Sequence, residues 1–353
     1  MKLIFALLSI LFLGNPMFAS PIKPDEDVIF YPTSAHHELS KGWIVPIHAH
    51  VFEKEENSKK RKLFIDALRK SLKIQRDTEE EKIFKSRLHW FLVDNERWKG
   101  IEITIEGKAY KVGKTSANGH LKSLLEIPNL TKGLKVITYK QKVPTKDKRN
   151  FIGKTFLIPE EGISLISDVD DTIKYSDVRN KKKLLENTFI KPFRAIEGMA
   201  NLYNTLASKG VAIHYLSASP YQLYVPLSEF FEQSDFPEGE YLLKNFRIKD
   251  TDFFNLFSSP QKYKFEKTSE LLKKYPKRKF ILIGDSGEKD PEAYAEIVRK
   301  YPDRIIKILI RRAYPEDKEE RFKKVFEDIN PKLYKIFDSA EEIVKEELYP
   351  QSR

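Results

Sequence analysis

From residue 160 onward, four short β-branched runs, Ile163–Ser167, Val211–Leu216, Lys279–Ile283 and Arg304–Ile310, alternate with helical stretches. Parallel neighbours in a sheet need long crossover connections, usually helical. The alternation therefore predicts an α/β fold over residues 160–350, a doubly wound, mostly parallel sheet. Between the first two runs, Met199, Leu202, Tyr203 and Leu206 form one stripe of a helix, with Gly210 just beyond it as a left-handed stop. Ser259-Pro260 reads as the N-cap and first position of a further helix that buries Thr268, Leu271, Leu272 and Tyr275.

Residues 25–159 have a different character and are expected to form a strand-rich, β-sandwich-like domain with a helical insertion. Gly42–Phe52 and Ile101–Val112 alternate apolar and polar residues, and Asn118-Gly119 marks a turn before Leu121–Ile127. Two charged stretches between them, Lys60–Leu72 and Thr78–Phe91, read as helices. At roughly 100–200 residues per domain, a chain of 353 residues accommodates two such units. Its 41% apolar content supplies a core for each and excludes a disordered chain.

The first residues read as a targeting segment. Lys2 precedes an apolar run from Leu3 to Leu13, broken by Gly14 and Pro16 and followed by Ala19 and Ser20, the order of a secretory signal over residues 1–19 with cleavage near Ala19. That run is shorter than the roughly 20 residues a membrane span needs. The expectation is an exported protein, periplasmic or extracellular. Met17 is large for its position before the cut, which leaves the cleavage point open. The absence of cysteine excludes disulfides, thiolate zinc sites, a cysteine nucleophile and a lipoprotein anchor at the cut.

Chemistry gathers at the ends of the predicted parallel strands. The first ends in Asp168-Val169-Asp170-Asp171-Thr172, the second in Ser217-Ala218-Ser219-Pro220, and the third in Gly284-Asp285-Ser286-Gly287-Glu288-Lys289-Asp290. Open α/β sheets bind ligands beyond the carboxyl ends of their strands, and Lys264, early in its helix, can reach the same edge. Phosphoryl transfer requires this kind of set: a carboxylate nucleophile, a second carboxylate for proton transfer, oxygen ligands for Mg²⁺, and a hydroxyl and a cation for the phosphoryl oxygens.

These four ordered motifs resemble those of the haloacid dehalogenase (HAD) phosphatase superfamily. The stretches YLSASPYQLY, FPEGEYLLK and FILIGDSGEKDPEAY, with the Lys264 helix ending LLKKYP, are similar to the catalytic domain of the actin-patch-associated phosphatidate phosphatases over Ile163 to Arg312. The N-terminal region looks like the strand-rich part preceding that domain in exported bacterial relatives. The resemblance implies a HAD-like fold and a Mg²⁺-dependent phosphatase working through an aspartyl-phosphate. Asp168 would be nucleophile and metal ligand, and Asp170 the acid/base that also gives its carbonyl to the metal. Ser217 and Lys264 would hold the phosphoryl group, with Asp285 and Asp290 at the metal. An Asp rather than a Thr at position 170 favours hydrolysis over the stable aspartyl-phosphate of an ion pump.

Asp168 and Ser217 are 49 positions apart and Ser217 and Lys264 are 47, which leaves no room for a large cap domain and suits a bulky substrate. Phosphatidate, converted to diacylglycerol, is the leading substrate, and a soluble phosphomonoester the alternative. A non-catalytic surface or lipid-binding protein with a relic domain is the other class. Tyr221, Leu223, Tyr224, Val225 and the Phe253–Phe257 stretch are core residues first and acyl contacts second. The net charge of +11 is compatible with peripheral contact to an anionic phospholipid surface. Lys59–Lys62 and Lys181–Lys183, however, read as solvated faces, and no recognition motif supports nucleic-acid binding. His48 and His50 can share a strand face but lack a third metal ligand in the sequence nearby. No partner for the N-terminal domain is legible.

Overall fold

A computed structural model describes residues 19–348, apart from 55–57, 132–134, 246–259 and 345–347. The N-terminal apolar run and the Phe253–Phe257 stretch lie outside the described residues. No described helix is long and apolar enough to cross a membrane.

The first half contains β1 (Glu26–Tyr31), β2 (Thr33–Glu38), β3 (Gly42–Glu53), α1 (Lys59–Ser71), α2 (Glu79–His89), β4 (Asp94–Asn95), β5 (Gly100–Ile105), β6 (Lys108–Lys114), β7 (His120–Ile127), β8 (Val136–Gln141) and β9 (Ile152–Leu157). β3 pairs antiparallel with β1, β2, β4 and β7, while β9, β8, β5 and β6 continue the sheet from β2. Alternation along β3 turns Val45, Ile47, Ala49 and Val51 toward a core shared with Ile101, Ile103, Ile105, Ile137 and Tyr139. The stretch read from sequence as one strand, Ile101–Val112, is a hairpin of β5 and β6. Glu106 and Gly107, at φ +46° and +79°, make its tight turn.

The second half contains β10 (Ile163–Ser167), α3 (Lys181–Phe189), α4 (Met199–Ser208), β11 (Ala212–Pro220), α5 (Tyr224–Gln233), β12 (Glu240–Lys244), α6 (Pro260–Lys274), β13 (Lys279–Asp285), α7 (Asp290–Lys300), β14 (Ile305–Arg311), α8 (Glu319–Val325), β15 (Tyr334–Phe337) and α9 (Glu341–Val344). Its strands form one sheet in the order β12-β11-β10-β13-β14-β15, and every pair is parallel. The α/β fold expected from the alternation is borne out. Each face of the sheet carries a core. Leu165, Ile213, Ile281 and Leu309 pack with α4 and α5, and Ile166, Leu216, Leu282 and Ile308 pack with residues of α6, α7 and α8.

Residues of the first half cover the edge of this second sheet. Tyr241 of the edge strand β12 donates its backbone N–H to Pro32 O at 3.3 Å. Glu240 beside it is buried and accepts from Ser34 Oγ at 2.6 Å and from His214 Nδ1 at 2.8 Å. Arg278 Nε donates to Ser164 Oγ, whose hydroxyl can then donate to His214 Nε2, so a neutral His214 satisfies the whole chain. Burial alone would raise the Glu240 carboxyl, but the charge of Lys274 and the hydrogen bonds from His214 and Ser34 outweigh it and hold it at about 2.

A carboxyl depressed from 4.5 to about 2 stabilises the fold above its unfolded value, and that stability is lost as pH falls from about 4.5 toward 2. Replacing Glu240 with Gln is expected to cost on the order of 2–3 kcal/mol at pH 7 and to flatten the loss on acidification. Urea unfolding at several pH values between 7 and 2.5 tests this, and an unchanged acid slope would show that the charge contributes nothing.

Candidate active site

The DVDDT segment leaves the carboxyl end of β10, where Asp168 N–H donates to Ile283 O at 2.9 Å. A tight turn follows, with Asp171 at φ +56°. The Asp171 carboxylate accepts the backbone N–H groups of Ser176, Asp177 and Val178 at 2.8–2.9 Å. It therefore shapes the loop and does not enter the site.

Two clusters form around this turn. In the first, Lys264 Nζ is buried and contacts Asp168 Oδ1 at 2.7 Å, Glu288 Oε2 at 2.9 Å and Asp290 Oδ1 at 2.5 Å. Thr172 Oγ1 lies 3.1 Å from Asp168 Oδ2 and 3.4 Å from Asp285 Oδ2, which brings Asp285 to the same place. Asp290 packs on the backbone of Gly284, where a Cβ would collide with its carboxylate. Among the described residues, one ammonium thus faces four carboxylates. Burial first, and then the neighbouring carboxylates, push Asp168 and Asp285 well above the ordinary range despite the lowering effect of Lys264. Burial opposes the charge of Lys264, but the surrounding carboxylates outweigh it and raise the ammonium well above its usual value.

The second cluster surrounds Asp170. Lys174 Nζ stands 2.8 Å from Oδ1, and Ser176 Oγ donates to the same oxygen at 2.6 Å. Ser217 Oγ and Ser219 Oγ reach Oδ2 at 3.2 and 3.1 Å. Burial would raise this carboxyl, yet the Lys174 charge and the hydrogen bonds together hold it below the usual range. The two acids of one motif are therefore in opposite electrostatic states.

The residues singled out in the sequence, Asp168, Asp170, Ser217, Lys264, Asp285 and Asp290, all converge at the carboxyl edge of β10, β11 and β13. Thr172, Lys174, Ser219 and Glu288 join them without having been assigned roles. Ser219 follows Ser217 by two positions on an extended strand, and Lys174 lies four positions beyond Asp170. Among the described residues, the carboxylates placed to share a cation are Asp168, Glu288 and Asp290. An all-oxygen donor set with surplus negative charge fits a hard divalent ion such as Mg²⁺. On the strand-rich half, His120 stacks on His50 at 4.2 Å. His48 Nε2 and His120 Nδ1 bond each other at 3.1 Å, while His50 Nε2 bonds Asn95 Oδ1 at 2.7 Å. The three rings spend these nitrogens on hydrogen bonds and do not converge on one point.

Comparison with known proteins matches residues 163–312 to the family model described as phosphatidate phosphatase APP1, catalytic domain. The resemblance read from the motifs is borne out over that segment. The chain is 35% identical over 175 residues to phosphatidate phosphatase APP1 of Saccharomyces cerevisiae, covering 48% of this chain and 29% of that protein. It is 31% identical over 165 residues to an uncharacterized protein of Schizosaccharomyces pombe, covering 46% of this chain and 27% of that one. The chain thus spans less than a third of the length of these relatives.

Removing the Lys264 ammonium from the first cluster leaves buried like charges without the counter-charge they touch. Lys264→Met is expected to cost about 3–5 kcal/mol in urea unfolding at pH 7. The raised carboxyls of Asp168 and Asp285 favour the folded state at low pH, and that advantage is lost as pH rises. The loss should accordingly be smaller at pH 5. Equal losses at both pH values would mean that Lys264 supplies packing only.

Proposed function

With residues 163–312 matching a phosphatidate phosphatase catalytic domain, we propose that this protein is a Mg²⁺-dependent phosphomonoester hydrolase with a HAD-like catalytic domain over residues 160–350, and that phosphatidate is its substrate. The observation that carries the reading is the meeting of Asp168, Asp170, Ser217 and Lys264 at the carboxyl edge of one parallel sheet. Asp168 is the nucleophile: its carboxylate forms a bond to phosphorus as the bond to the leaving alcohol oxygen breaks. Asp170, anchored by four side chains, takes a proton from the water that hydrolyses the aspartyl-phosphate and, in the protonated form that an adjacent phosphoryl dianion favours, gives it to the leaving oxygen of the next substrate. Lys264 and Ser217 lie beside the two acids, where the phosphoryl oxygens would sit.

Asp168, Asp285 and Asp290, with Glu288 and the Asp170 carbonyl, are the residues that would hold Mg²⁺. The ion would supply the positive charge that keeps a crowded nucleophile ionised and offsets charge on the phosphoryl group. The N-terminal apolar run supports export with removal of residues 1–19, and the basic balance of the chain supports peripheral contact with anionic lipid.

The test is phosphate release by the mature protein from phosphatidate vesicles and from p-nitrophenyl phosphate, with Mg²⁺ or EDTA. Release is expected to require Mg²⁺ and to fall at least about a thousandfold in Asp168→Asn, since the nucleophile is removed. A higher kcat/KM on p-nitrophenyl phosphate would transfer the assignment to soluble phosphomonoesters. No release from either by folded protein would defeat the enzymatic reading and favour a binding protein.

A further inference from the structure

Arg87 is buried, and it belongs to the helical insertion of the strand-rich half, yet its hydrogen bonds and its ring contact run to the other half. Its Nη1 donates to Thr188 O and Lys191 O at 2.8 Å and to Asn187 O at 3.4 Å, closing the carboxyl end of α3. Its Cζ stands 3.6 Å from the centroid of the Phe193 ring. No carboxylate pairs with it among the described residues; burial lowers it to about 10. The negative end of a helix and the face of an aromatic ring are what hold this cation.

Two routes lead from these contacts to Asp170. Along one, the Phe193 ring also carries Lys174 Nζ, 4.9 Å from its centroid, and Lys174 grips Asp170 Oδ1. The segment around Phe193 is tied to the Lys174 segment by backbone bonds, Tyr175 N–H to Arg194 O and Ile196 N–H to Ile173 O, both 2.9 Å. Along the other, Asn187, in the turn of α3 that Arg87 closes, donates its side-chain amide to Ser176 O at 2.9 Å, and Ser176 Oγ donates to Asp170 Oδ1. Apolar packing seats the insertion where Arg87 can make these contacts. Phe84, Leu88 and Phe91 share a core with Phe189 and Ile190, and the Phe91 and Phe189 rings lie 5.5 Å apart.

We propose that Arg87 and Phe193 are positioning residues of the active site, through which the helical insertion of the N-terminal half braces the 173–196 arm and fixes Lys174 and Ser176 against Asp170. The inference rests on the reading of Asp170 as the acid/base. It assigns the N-terminal half a part in turnover that neither half's sequence motifs contain.

The experiment uses the full chain carrying Arg87→Ala, Phe193→Leu or Phe193→Tyr. It follows kcat and KM on p-nitrophenyl phosphate with Mg²⁺, together with amide exchange over 171–197 and 279–285. Arg87→Ala and Phe193→Leu should lower kcat about ten- to a hundredfold, the range a displaced catalytic group produces, with KM changed by less than about twofold. Phe193→Tyr, which keeps the aromatic face, should regain most of the rate. Exchange should quicken over 173–196 and stay unchanged over 279–285. Faster exchange in that arm with undiminished kcat would overturn the proposal, as would equal loosening of both segments, which would mark general destabilisation. If the wild-type chain releases no phosphate, the enzymatic reading fails separately, and unaltered exchange over 173–196 in Arg87→Ala would overturn the brace itself.

Discussion

The Lys264 ammonium holds together a cluster that would otherwise repel itself. Four carboxylates, from the end of β10, the end of β13, the loop that follows it and the start of α7, meet at a place from which water is largely excluded. Charges that have lost their hydration are costly, and like charges cannot share such a place without a counter-charge. The fold tolerates the arrangement because a parallel sheet delivers its strand ends to one edge, and α6 carries Lys264 to the same point. A surplus of negative charge persists even so. Bound protons, which the raised carboxyls of Asp168 and Asp285 favour, or a cation can settle it.

The neighbouring carboxylate shows the opposite solution. Asp170 sits only two residues from Asp168, yet it has its own lysine and three hydroxyl donors. Only Val169 stands between the two acids, just ahead of the turn at Asp171, and it separates a carboxyl raised by its surroundings from one lowered by them.

Much of this was legible in the sequence. Strand-end acids announce themselves because the apolar run before each is short and β-branched, and the α/β class followed from the same runs. Other features escaped for physical reasons. Lys174 and Glu288 lay in or beside the motifs that carried the chemistry, but a charged residue in a loop has no periodic signature to show which way it points. Glu106 broke no alternation, so the β5–β6 turn passed for continuous strand; only Gly107 beside it could have signalled φ > 0. His120 joins His48 and His50 because β7 lies beside β3, a pairing across 72 residues in the His48–His120 bond that no local pattern encodes. Arg87 lies in a stretch legible only as a charged helix, and its three carbonyl partners, in and just beyond α3, are 100 to 104 residues away.

The boundary seen in sequence near residue 160 is also not where the structure would come apart. The edge of β12 leans on Pro32, the Glu240 chain ends on Ser34, and Phe84, Leu88 and Phe91 fill the core of the other half. A chain cut at that boundary would expose at once an apolar face and an unpaired strand edge, the two surfaces by which sheets recruit foreign strands. The strand-rich half therefore shields the apolar face and the strand edge of the half that carries the carboxylates.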